Sequence, residues 1–329
     1  MDSVIATVSE AVNEKIGYDI AFPNIGIFIK NLKNTIKIGS FSIDLFGNSY
    51  SFGGFTIAYY GIIIALAMII GFAIVTHFAK KFKMNDDIFY DVFILVILLG
   101  VIGARIYYVI FKWDYYQIRP IEILNIRSGG LAVFGGIILA SIGIIIYCLI
   151  KKVNFIKVLD FTMIGVTIGQ AIGRYGNFFN MEAFGEYTNN IFAMRMRDEY
   201  IDSSITTSLQ LLNKIEENGI SYIQAHPTFF YESSLNIILF IILIYMLNKK
   251  YKFDGQLLAT YLIGYGVIRF FVESLRTDSL MVSTLKISQI VAIICVIIGI
   301  TIYVLHFVKI KPFDCVHDLE GIMLKDKGE

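Results

Sequence analysis

Ile57–Ala79 reads IAYYGIIIALAMIIGFAIVTHFA, and Lys80, Lys81 and Lys83 follow it at once. No Asp, Glu, Lys or Arg interrupts the stretch. About 20 such residues, wound as a helix, cross the roughly 30 Å hydrocarbon core of a bilayer. A bilayer offers no water to satisfy exposed backbone, so an apolar run of this length predicts a transmembrane helix.

Six more long, mainly apolar runs follow, roughly Ile88–Phe111, Leu131–Ile150, Leu159–Phe178, Thr228–Leu247, Gln256–Phe271 and Ile287–Val308, the fourth and sixth spans being the least apolar. The reading is therefore an all-α polytopic membrane protein with about seven transmembrane helices. Composition agrees: 56% of the 329 residues are apolar, 17% are charged and mean hydropathy is +0.68. A soluble chain carries about a quarter charged residues. The net charge of +1 provides no basic field for nucleic acid. Cys148, Cys295 and Cys315 are scattered and suggest neither a disulfide framework nor a metal site. The first forty residues contain charges and no apolar core of the signal-peptide kind.

Basic clusters set the orientation. Lys80, Lys81 and Lys83 follow the first helix, Lys151, Lys152 and Lys157 the third, Lys249, Lys250 and Lys252 the fifth, and Lys309 and Lys311 the seventh. Every second junction is thus predicted to be cytoplasmic. This puts the N-terminus outside and the C-terminus inside, as an odd number of spans requires. Residues 1–56 then form an extracytoplasmic arm, with short strands or turns over Ser42–Thr56. Residues 57–311 form one membrane domain, 181–225 an extracytoplasmic cap containing a short amphipathic helix over Thr206–Glu217, and 312–329 a cytoplasmic tail.

Three arginines, Arg105, Arg174 and Arg269, lie inside apolar spans. Each costs about 2.5–3.5 kcal/mol at a bilayer centre on insertion scales. All three sit in the outer portion of a helix running from inside to outside, at the depth of outer-leaflet headgroups. Shared depth favours one anion site, with phosphate the natural anion for guanidinium. The plainer alternative is a set of ion pairs that only hold helices together.

In the sixth span Tyr265, Arg269, Glu273 and Arg276 fall within an arc of about 80° at 100° per residue. Glu273 would orient Arg269 under either reading. In the fourth span Gly165, Gly169 and Gly173 make a smooth face for helix packing. Arg174, Asn177, Asn180 and Glu182 then crowd the end of the helix, among glycines that let backbone N–H groups approach an oxyanion.

The run GRYGNFFNMEAFG at Gly173–Gly185 resembles the hallmark motif of the prolipoprotein diacylglyceryl transferases. AFPNIG at Ala21–Gly26, AYYG at Ala58–Gly61, GARIYYVIF at Gly103–Phe111, HPTFFYES at His226–Ser233 and LIGYGVIRFFVESLR at Leu262–Arg276 resemble that family in order. The resemblance implies transfer of the diacylglyceryl group of phosphatidylglycerol to the lipobox cysteine of a prolipoprotein. A thioether forms and glycerol phosphate leaves, without metal or organic cofactor.

The same resemblance assigns roles. Arg174 binds the lipid phosphate with Asn177 in support, and Arg269 acts on the leaving group. Tyr60 and Tyr265 line the reaction site, Glu273 holds Arg269, and Arg105 completes the basic lining. Asn180 and Glu182 belong to the motif without an assigned role. In GGLAVFGG (Gly129–Gly136) the family often has a histidine, proposed as base, where Phe134 stands here. His226 is the remaining histidine at the outer face; His77, His306 and His317 fall on the inner side. The cysteine thiol could also simply ionise to water. Two other classes compete, a transporter for an anionic solute and a lipid-binding scaffold. The first needs polar residues continuing inward, where these helices are aliphatic.

Overall fold

The computed structural model describes residues 19–32, 34–39, 41–45, 48–52, 55–126, 129–201, 203–279, 281–282 and 285–308. The expected tail 312–329, with Cys315 and His317, lies outside the described residues, as do Lys309 and Lys311. So do the first 18 residues of the expected arm. Seven helices are long and apolar enough to cross a membrane: α1 (Tyr59–Lys81), α2 (Asp87–Phe111), α3 (Val133–Lys151), α4 (Phe155–Phe179), α5 (Thr228–Lys249), α6 (Gln256–Leu275) and α7 (Ile287–Phe307). They fall on the seven predicted spans. Two ran further than hydropathy suggested: α4 begins earlier, and α6 continues through Glu273 to Leu275.

The chain divides into two compact units, residues 1–68, 167–242 and 262–297 in one, and 69–166, 243–261 and 298–329 in the other. The first unit carries a five-stranded antiparallel sheet not foreseen from sequence. Its strands are β1 (Ile20–Phe22) and β2 (Ile27–Ile29) from the N-terminal segment, with Met194–Arg197, Ile215–Glu217 and Ile220–Ala225 from the segment after α4. Ile20 pairs with Met196, and Met194 with Ala225. Asp19 fixes the edge, accepting the Leu32 N–H at 2.7 Å and facing Arg197 at 3.7 Å. Ile20, Phe184, Met194, Met196 and Phe229 bury the sheet's apolar face. The strand pair 41–45/48–52 falls on Ser42–Thr56, where short strands or turns were expected; 35–38, outside that stretch, pairs with 55–58. The expected helix over Thr206–Glu217 is shorter, Ser208–Leu212, closed by a Thr207–Gln210 capping box; Ile215–Glu217 is sheet.

The glycine face of α4 packs as predicted. Within the first unit a Cβ on Gly173 would meet Ile64 at 3.3 Å, and one on Gly169 the Ala67 carbonyl at 3.6 Å. Within the second, a Cβ on Gly165 would lie 2.7 Å from the Gly71 carbonyl, too close for any side chain. Gly103 and Gly135 bring α2 and α3 together in the same manner.

The second unit is anchored by a residue the sequence reading passed over. Asp160, fully buried in α4, accepts the backbone N–H groups of Gly255 and Leu258, each at 2.7 Å, and the Tyr251 hydroxyl at 2.9 Å. Its carboxylate therefore caps the N-terminus of α6, where orphan N–H groups and the helix dipole favour a negative charge. Asp160→Ala strands these buried donors at about 1–3 kcal/mol each. We expect a lower thermal unfolding midpoint in detergent, partly restored in Asp160→Asn.

Candidate active site

The site is assembled in the first unit by the last turns of α4, the first turns of α5 and the last turns of α6. Its centre is Glu232 of α5, with a side chain only 2% exposed. One oxygen lies 2.6 Å from Arg174 of α4 and the other 3.2 Å from Arg269 of α6. Arg269 also contacts Glu273 at 2.6 Å, one turn along its own helix, and donates to the Ser288 hydroxyl at 3.3 Å. The carboxylates of Glu232 and Glu273 are thus buried, while Arg174 and Arg269 keep 21% and 14% exposure. The carboxylates are the more enclosed members of the cluster and the guanidinium groups the more exposed. Each guanidinium retains N–H donors that these contacts do not use, so an anion can be added to the pair.

Both tyrosines predicted at the site are beside this cluster. The Tyr265 phenol is hydrogen-bonded to Arg174 and close to Glu232 and Arg269. The Tyr60 phenol lies within electrostatic reach of Glu182, Arg174 and Arg276. Its ring covers Gly176 so closely that a Cβ there would stand 2.5 Å from the ring. That explains the second glycine of the motif: it makes room for an aromatic ring.

Beyond α4 the chain turns back sharply. Met181 and Ala183 adopt φ of 49° and 57°, a left-handed region costly to side-chain-bearing residues. The turn brings the Glu182 carboxylate within 3.0 Å of the Asn177 amide and 3.4 Å of that of Asn180. Asn177 in turn accepts from Arg174 at 3.4 Å. Arg174, Asn177, Asn180 and Glu182 therefore form one polar chain. Gly185 ties this turn to α5 and α6: its N–H donates to the His226 carbonyl, and it bridges Arg276 in β fashion.

Arg276, predicted on the polar face of α6, turns instead to Asp278, with contacts of 3.0 and 2.9 Å. Lys286 donates to the carbonyls of Glu273 and Arg276, closing the C-terminus of α6. Burial pulls its pKa below the usual lysine value, with Glu273 opposing.

Arg105 has a different employment from the expected anion lining. It is buried in the second unit and gives its five N–H donors to the carbonyls of Glu122, Ile123, Asn125, Gly129 and Gly130, at 2.6 to 3.1 Å. No donor is left over for a phosphate. Phe134 is the second residue of α3 and offers nothing titratable. His226 contacts Asn190 and the Tyr231 hydroxyl at 3.4 and 3.3 Å. Burial lowers its pKa from the usual histidine value, against the pull of Glu186.

Glu232 was missed as a site residue. It lies inside the HPTFFYES run, and its signal was available: Glu232 is the lone acidic residue in a long apolar helix. Among the described residues no group of three or more His, Cys, Asp or Glu is arranged to hold a metal ion. A cavity of about 750 Å³ opens in the same unit between Asn34, Thr35, Tyr59, Asn180 and Tyr200.

Comparison with known proteins identifies the family. The family model for prolipoprotein diacylglyceryl transferase matches residues 48–305. The phosphatidylglycerol–prolipoprotein diacylglyceryl transferase of Finegoldia magna is 39% identical over 266 residues, covering 81% of this chain and 98% of its own. Those of Clostridioides difficile and Listeria innocua are 38% and 36% identical, covering 78% and 84% of this chain and 93% and 95% of their own.

Removing the central charge should cost more than a surface pair would. Glu232→Gln keeps the shape but leaves Arg174 without a carboxylate partner and Arg269 with Glu273 alone. We expect a loss of about 3 kcal/mol in unfolding free energy in detergent, the scale for breaking a buried pair. A loss under about 1 kcal/mol would place Glu232 among ordinary surface ion pairs.

Proposed function

The chain belongs to the prolipoprotein diacylglyceryl transferase family, and we propose that its arginine pair grips the phosphate of phosphatidylglycerol while a lipobox cysteine attacks the adjoining glyceryl carbon. The reaction is the first step of lipoprotein maturation, carried out by a multi-pass membrane enzyme. The observation that carries the mechanism is the pair Arg174 and Arg269, from two helices, held on one buried carboxylate.

The thiolate sulfur forms a C–S bond to the glyceryl carbon as the C–O bond to phosphate breaks. The departing glycerol phosphate gains negative charge, and the thiol proton passes to solvent or to that phosphate. Charge develops on the phosphate oxygens, so donors fixed in advance around them stabilise the transition state more than the ground state. Arg269, held by Glu232 and Glu273, faces the leaving oxygen. Arg174 and Asn177 hold the phosphate, with Tyr60 and Tyr265 closing the site on either side. Glu182 and Asn180 keep Asn177 in place. Arg105 serves by pinning the backbone carbonyls of Glu122, Ile123, Asn125, Gly129 and Gly130 rather than by touching lipid.

Lysine clusters at alternate junctions support an extracytoplasmic N-terminus and a cytoplasmic C-terminus, with the arginine pair toward the outer leaflet. The cavity at Tyr59 and Asn180 is the place we assign to the lipobox segment, because it adjoins the motif and offers polar and apolar walls.

Purified protein, phosphatidylglycerol and a lipobox peptide should give a peptide heavier by one diacylglyceryl group in mass spectrometry. Arg269→Ala should lower that yield about hundredfold or more while the protein still inserts; full activity would remove Arg269 from the chemistry. With Phe134 in place of a histidine, the rate should follow the thiolate fraction. It should rise about tenfold per pH unit until the peptide thiol ionises near 8.5. With the thiol ionising to water, His226→Gln should leave this profile unmoved. An inflection below the usual histidine pKa of about 6.5 that His226→Gln abolishes would identify a histidine base instead.

A further inference from the structure

Asn236 of α5 is fully buried, and neither its Nδ2 nor its Oδ1 has a hydrogen-bond partner among the described residues. A buried amide so placed costs free energy that an apolar residue of the same shape would avoid. Its position gives the cost a purpose. Asn236 lies four residues beyond Glu232, on the same face of α5 and further from the Thr228 end. Gln170 lies four residues before Arg174 on α4, and Tyr265 four before Arg269 on α6. Both helices end beyond their arginine, so these two residues also lie one turn inward of the charge. Each helix that supplies a charge thus supplies a neutral hydrogen-bonding group about 6 Å further into the apolar part of the bundle.

We propose that this neutral tier is the binding site for the ester groups of the lipid substrate, with Asn236 Nδ2 donating to an ester carbonyl. The proposal rests on the transferase reading and deepens it. In a diacyl phospholipid the two ester carbonyls follow the phosphate by a few covalent bonds, on the side of the acyl chains. A lipid whose phosphate meets Arg174 and Arg269 therefore brings its esters to the level of Asn236. Ester carbonyls accept hydrogen bonds and donate none, and their need is met by an amide N–H, a glutamine amide or a phenol. A water carried in with the second ester would serve Oδ1. The tier thus selects the linkage of the chains to glycerol, and it holds the glyceryl carbon still while sulfur approaches. Ether-linked lipid has the same phosphate and the same chains but lacks the carbonyl acceptors.

The test compares dioleoyl phosphatidylglycerol with its dioleyl diether analogue, in mixed micelles with a lipobox peptide, by mass spectrometry of the product. The wild-type protein should show a KM for the diether about five- to tenfold higher, the worth of one hydrogen bond in a dry site. Asn236→Leu should raise the KM of the diester alone, bringing the ratio near one. Equal KM values for the two lipids in the wild-type protein would overturn the proposal without any variant. So would a wild-type ratio retained in Asn236→Leu. Transfer from neither lipid would instead overturn the transferase reading beneath it.

Discussion

A single buried carboxylate organises the reactive part of this protein. Glu232 offers one oxygen to Arg174 and the other to Arg269, and so fixes the positions of two cations from different helices. Guanidinium groups brought this close repel one another, and in a medium of low dielectric that repulsion is large. The carboxylate between them removes it and takes up only part of their hydrogen-bonding capacity. Glu273 repeats the arrangement for Arg269 from the same helix. The result is a pair of donors held rigid before a substrate arrives, which is the condition for electrostatic stabilisation without reorganisation.

Much of the local sequence serves that arrangement. Gly169 and Gly173 let α4 lie against α1, and Gly176 leaves space for the Tyr60 ring beside Arg174. The left-handed residues Met181 and Ala183 fold the chain back so that Glu182 reaches Asn177. The strained turn is held by Gly185 and by the Thr228 hydroxyl, which donates to the Ala183 carbonyl. Strain in a position secured by several bonds marks a place where geometry matters more than local stability.

The helices were legible because membrane burial writes itself as length and hydropathy, and both survive in a single sequence. The polar chain from Arg174 to Glu182 was legible because contiguous residues carry it. What escaped was non-local. The strands of the sheet are three to six residues long, and β1 joins Met194–Arg197 about half the chain away, so no periodicity announces them. Arg105 shared its depth with the other arginines, yet its partners are backbone carbonyls, which every residue possesses and no sequence singles out. Glu232 and Asp160 went unread among their apolar neighbours; their meaning came from the cations and the helix terminus they face.

The sheet that joins β1 to Met194–Arg197 also sets an order of events during synthesis. Ala21 finds its partner Arg195 only after α1 to α4 have been made. At about 5 to 20 residues per second, the ribosome takes on the order of ten to thirty seconds to cover that interval. Until then Ile20 and Phe22 have no hydrophobic neighbours from the later strands, and the edge of β1 is open to any passing chain. A newly made molecule therefore carries an exposed strand through half of its assembly, and this interval is where a chaperone or a protease would compete with folding.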